Sequence, residues 1–123
     1  MTVPETFLAC PASIPCYDAV SARLRALFPD AEEKVDRTQT AYARGVQFAW
    51  LSAPKRKADH GGVVLSFALP ERLDSQRVFA AVEPYPGRWM HHMLLRAPEE
   101  LDDACERWLT EAWAFAARRG RRR

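Results

Sequence analysis

No stretch of this chain approaches the roughly 18 consecutive apolar residues that a helix needs to span a bilayer, so no membrane helix is expected. Residues Met1 to Ala9 lack both a basic cluster and an apolar core, and nothing there reads as a secretory signal. The three cysteines make an odd set, unlike the even sets of disulfide-stapled secreted domains. Cytoplasmic localisation is the resulting expectation. The phosphate-cradling patterns G-x-x-x-x-G-K-[ST] and G-x-G-x-x-G are missing, which argues against the usual nucleotide cradles. Ser66 has no G-x-S-x-G elbow around it, and no His or Asp stands in a recognisable order with it. Cys10 and Cys16 are separated by five intervening residues, two of them prolines, with no distal pair to complete a structural zinc site. No metal, cofactor or catalytic residue is assigned.

Charge of one sign is also lacking. The net charge is +2, but Arg118, Arg119, Arg121, Arg122 and Arg123 lie within the last six residues. Without those five the balance is 13 basic to 16 acidic groups. The basicity belongs to the tail, whereas a nucleic-acid footprint requires a basic face on the fold, so nucleic acid is not the expected partner.

What is present fits a single domain over residues 1–119 with a flexible Arg tail at 120–123. At 123 residues and 48% hydrophobic, the chain is long enough for one core without staples. Tyr17, Val20, Leu24, Leu27 and Phe28 fall at the three-and-four spacing of a helical face, with Pro15 and Pro29 as brackets. Leu101, Ala104, Cys105, Trp108, Leu109, Ala112, Trp113 and Ala116 form a broader stripe. Pro98 is expected to open that helix, with acidic residues in its first turn and arginines at its end, as the helix dipole favours. Both stripes are expected to lie on one sheet face, with Trp108 and Trp113 largely buried.

Between the helices, Val46–Ala53, Gly62–Leu69 and Trp89–Ala97 are apolar, aromatic or β-branched runs bounded by turn residues. Glu33–Arg44 is more polar and reads as a further strand. Short connections favour antiparallel neighbours. The long connection from Pro70 to Gly87 is expected to carry a short helix at Ser75–Val82. The fold class is therefore α+β: helix, antiparallel sheet of four or five strands, helix, with the helices on one sheet face. In Val46–Ala53, alternation puts Phe48 and Trp50 on one face and Ala49 and Leu51 on the other. The near-continuous apolar strands predict a second face that is also covered, by the long connection, a ligand or a partner chain in a homodimer.

One segment concentrates chemistry. Glu83-Pro84-Tyr85-Pro86-Gly87-Arg88-Trp89-Met90-His91-His92 gathers a carboxylate, a guanidinium, aromatics and two imidazoles around a Pro-Gly turn. Glu83, Tyr85, Arg88, Trp89, His91 and His92 are the candidate ligand-binding residues, for a small anionic ligand. Alternation sends His91 to the face of Trp89 and Met93, as a core-facing histidine. It sends His92 to the face of Arg88, Met90 and Leu94. Arg88 is expected either to pair with Glu83 as a clamp or to face a cleft as an anion contact. Lys55-Arg56-Lys57 is a basic loop, either a phosphate contact or merely solvated.

Taken together, F-A-W, V-L-S-F-A-L-P, V-E-P-Y-P-G-R-W-M-H-H and L-R-A-P-E-E-L-D-D resemble an uncharacterised bacterial family known as a domain of unknown function, over about Pro4 to Ala117. The family is similar to the YdhG-like and YjbR-like groups, whose helix, sheet, helix fold resembles type III secretion chaperones. The resemblance implies that architecture and brings no activity, cofactor or catalytic residue. The function expected is a non-catalytic binding or protein-interaction module. Its alternatives are an enzyme acting on a small anionic substrate through residues 83–92 and a nucleic-acid accessory protein using the Arg tail.

Overall fold

The structure is a computed structural model describing residues 3–121, the side chains at 120 and 121 excepted. Two single 3-10 turns, Glu5–Ala9 and Pro11–Ser13, lead into helix α1, Ile14–Leu27. Six strands follow: β1 Glu32–Val35, β2 Gln39–Arg44, β3 Val46–Ser52, β4 Val63–Leu69, β5 Val78–Tyr85 and β6 Arg88–Leu95. A 3-10 turn at Pro98–Glu100 precedes helix α2, Asp103–Arg121. The class is α+β, as the sequence predicts. The sheet has six strands in the order β1-β2-β3-β4-β6-β5, every pair antiparallel, where four or five strands were expected.

The two extra strands have separate causes. Glu33–Arg44 is divided by a turn in which the Asp36 N–H donates to the Gln39 carbonyl, giving β1 and β2. The helix expected at Ser75–Val82 is instead the start of β5. Val78-Phe79-Ala80-Ala81-Val82 suits either state by composition, and the free edge of β6 supplies ladder partners that a lone helical turn would not have. The tight β5–β6 turn is made by Gly87, whose φ of 82° a side chain would strain.

Both helices pack on one face. Tyr17, Val20 and Leu24 of α1 and Leu101, Cys105, Leu109, Ala112 and Ala116 at or within α2 bury against Val63, Leu65, Phe67, Met93 and Leu95. The Tyr17 hydroxyl lies 2.7 Å from the Thr40 hydroxyl, tying α1 to β2 in the core. Arg23 and Glu106 form an ion pair between the helices. Helix α2 begins at Asp103 rather than Pro98, because Asp102 caps it: its Oδ1 accepts the Cys105 N–H at 3.2 Å. Trp108 and Trp113 are half-buried rather than largely buried. They sit at the edges of the stripe, where Arg77 and Arg44 cover their outer faces at 5.9 and 4.3 Å.

A bulge corrects the alternation expected in β3. Tyr42 pairs with Ala49 and Ala43 with Gln47, so Phe48 is the extra residue. Phe48 turns into the helix-side core, 5.3 Å from both Phe28 and Trp113, while Trp50 lies on the opposite face with Ala41, Ala68 and Met90. No helix of the described chain is long and apolar enough to cross a membrane. The expected Arg tail begins within α2, which runs through position 120 to Arg121; Arg122 and Arg123 lie outside the described residues.

Candidate functional site

The helix-free face of the sheet is concave at one end and holds a groove of about 840 Å³. Its apolar surface comes from Val64 of β4, Leu94 of β6 and Phe79 of β5. Val64 and Leu94 reach it because strand alternation sends their neighbours Val63, Leu65, Met93 and Leu95 into the main core, whereas Phe79 sits at a bulge in β5. Gln39 and Ser52, paired across β2 and β3, close one end. The rim is cationic. Lys55, Arg56, Arg77 and Arg96 line the groove against one carboxylate, Asp59.

Those cations are held in place from behind. Asp59 lies 3.7 Å from Arg56 and 3.3 Å from Arg96, so one carboxylate gathers two guanidiniums at the mouth. The Arg96 contact is ionic rather than aligned, and the buried Oδ1 of Asp59 accepts no hydrogen bond. Arg77 Nη1 donates to both carboxylate oxygens of Asp102, at 2.9 and 3.0 Å, and Nη2 donates to the Glu100 carbonyl at 2.6 Å. The hydrogen bond from Arg77, with that from the Cys105 N–H, holds the Asp102 carboxyl down at about 2. Lys55 makes none of the ion pairs among the described residues.

At the floor, Ser66 and His92 are direct cross-strand partners, with the Ser66 hydroxyl 2.7 Å from His92 Nδ1. Burial lowers the His92 pKa, so the ring is neutral at pH 7. The pair offers a ligand one polar centre on an otherwise apolar floor. The three cysteines are free and buried. Burial raises the Cys16 and Cys105 thiols above their ordinary range, which keeps both protonated and poorly nucleophilic.

The six candidate residues do not form one cluster. His92 lines the groove. His91, next in sequence, is fully buried on the helix side, where alternation predicts it, and its ring stacks on Phe67. Trp89, opposite Leu69, is half-buried. Glu83 does not clamp Arg88. Its Oε2 accepts the Gly87 N–H at 3.1 Å, bracing the turn. Arg88 donates instead to the Gln47 carbonyl at 3.2 Å and lies 5.9 Å from the rings of Trp50 and Tyr85. The Tyr85 hydroxyl accepts from Arg119 at 2.8 Å. The residues missed by local reading are Asp59, Gln76, Arg77, Phe79, Leu94 and Arg96, which come from three separate segments of the chain. Besides His92, the local signal that points to the groove is the basic loop, which contributes Lys55 and Arg56.

No curated protein and no solved structure matches this chain. Residues 5–116 match the family described as "Domain of unknown function (DUF5655)", and the chain belongs to that family.

Proposed function

We propose that the domain is a binding module that holds a small amphiphilic anion on the helix-free face of its sheet. One observation carries this: the 840 Å³ groove combines an apolar floor with four cationic side chains and a single carboxylate. Its volume lies within the ~300–1,000 Å³ typical of small-ligand sites. The ionised group of the ligand meets Lys55, Arg56 and Arg96, its apolar body covers Val64, Leu94 and Phe79, and the Ser66–His92 pair orients it. The expected kinship with the bacterial YdhG-like and YjbR-like groups belongs to the same proposal, as does action in the cytoplasm, where three reduced cysteines are at home.

Calorimetric titration with 1-naphthalenesulfonate tests the reading, because this probe stays anionic at all working pH values. Binding should weaken strongly for neutral 1-naphthol and for inorganic sulfate, each of which has only half of the required chemistry. Equal binding of naphthol would remove the electrostatic part of the proposal. If no probe binds and the protein sediments as a dimer through this face, the occupant is a second copy and the small-ligand reading fails.

The Ser66–His92 contact favours a second reading, an enzyme acting on an anionic substrate with His92 as base. Against it stands the position of Ser66 within a central strand, between β3 and β6, where the backbone N–H groups that usually stabilise an oxyanion are engaged in the ladder. A fluorophosphonate that labels Ser66, with loss of labelling in His92→Ala, would put the enzyme first.

A further inference from the structure

One segment joins the main core to the groove: residues 70–77, which connect β4 to β5. Its Gln76 and Arg77 form part of the groove wall, while its Leu73 packs on the main core. The backbone N–H of Leu73 donates to Nε2 of His91 at 2.8 Å. His91 is 0% exposed and stacked on Phe67, with ring centroids 5.2 Å apart and planes 14° apart. Accepting at Nε2 requires that atom to be unprotonated, which fixes the neutral tautomer with its proton on Nδ1.

We infer that His91 is a proton-sensitive latch: its neutral ring holds the Leu73 end of the 70–77 connection against the sheet, and its protonation loosens that connection as far as Arg77, which Asp102 anchors separately, and with it the Gln76 wall of the groove. The functional consequence rests on the groove being the binding site; the latch itself does not.

An imidazolium has no acceptor, so the Leu73 N–H would face another N–H. The charges that reach the ring offer no compensation. Arg72 on the connection and His92 on β6 both oppose a further positive charge, β4 presents Phe67, and behind Phe67 α2 presents Trp108. Burial is the largest influence lowering the His91 pKa; carbonyls of Phe67 and Trp89 only partly offset it. A base whose folded pKa lies below its unfolded value, about 6.5, stabilises the closed form fully above that pH. The contribution falls as pH drops below about 6.5 and levels off once pH is below the folded value.

The test is hydrogen exchange by NMR on the full chain between pH 7.5 and 5, corrected for intrinsic rates, with the His91 ring shifts followed in parallel. Protection of the Leu73 amide should fall at least about tenfold on acidification relative to the Leu65 amide in the central strand. His91→Gln keeps an acceptor near Nε2 and cannot titrate, so its Leu73 protection should not change with pH. Affinity for 1-naphthalenesulfonate should fall with pH in the native protein but not in His91→Gln. Protonation of His92 would strengthen anion binding, the opposite sign, so the two histidines are distinguishable. Constant Leu73 protection in the native protein while His91 protonates overturns the latch, and this result does not depend on the variant folding. Loosening that persists in His91→Gln also overturns it. If Leu73 loosens but the probe binds at no pH, the latch stands and the groove reading falls. If the probe binds and Leu73 stays protected, the reverse holds.

Discussion

The two faces of the sheet are built from the same strands yet meet different fates. On the helix side, Val63, Leu65, Phe67, Met93 and Leu95 are completely buried beneath α1 and α2. One residue over, Val64, His92 and Leu94 remain half-buried, and near the β5 edge Phe79 is 64% exposed. Two helices suffice for one face of six strands. The second face keeps a small cluster around Trp50 and leaves the rest as an apolar floor ringed by cations. Along β4 and β6 the closed core and the proposed binding face therefore alternate with a period of two residues, and substitutions one position apart should have different consequences.

The largest effect expected is on the closed face. Leu65→Ala should destabilise by about 2–5 kcal/mol in urea unfolding, because it empties a fully enclosed site. Leu94→Ala, on the floor of the groove, should cost about 1 kcal/mol or less, since its half-buried side chain already borders open space. Equal costs would mean that the second face is a second core. Gly62→Ala should follow, at roughly 1–3 kcal/mol, because a Cβ there would lie 2.5 Å from the Leu95 carbonyl oxygen on the neighbouring strand.

On the open face the sign of the comparison reverses. Lys55→Ala combined with Arg96→Ala should leave stability within about 0.5 kcal/mol, as exposed charges do. The same pair should weaken 1-naphthalenesulfonate binding about tenfold or more, equivalent to ~1.4 kcal/mol. A large stability loss without an effect on the probe would make the cations structural. The smallest effect concerns Asp102. Its carboxyl is held at about 2, below its unfolded value, so its contribution is present above about pH 4 and lost as pH falls towards 2. Asp102→Asn should flatten the acid limb of stability in that window, by a modest amount because the Arg77 pair is partly solvated.

How legible this was from sequence depended on whether the signal was local. The stripe from Tyr17 to Phe28 and that from Leu101 to Ala116 specify α1 and α2 by spacing alone, and β3, β4 and β6 announce themselves as apolar runs. Strand β5 does not, because bulges at Phe79 and between Val82 and Tyr85 break its two-residue period. Its conformation is imposed by the edge of β6, a partner that local pattern cannot name. The bulge at Phe48 hides in the same way: a strict alternation puts Phe48 with Trp50, and one extra residue sends them to opposite faces. The candidate segment Glu83–His92 is dense in reactive side chains by composition, but pleating separates its members and places His92 alone of them in the groove. The groove itself draws on residues from Gln39 to Arg96, and the cations that dominate it converge only through tertiary contacts.

The central claim is that the helix-free face is the binding surface. Chemical-shift mapping with 1-naphthalenesulfonate on the isotopically labelled protein tests it most directly. The account predicts saturable shifts in the methyl groups of Val64 and Leu94, the His92 ring and the Ser66 amide, with the methyls of Val63 and Leu65 nearly still. Shifts concentrated on the outer surfaces of α1 and α2, or none at millimolar probe, would contradict it.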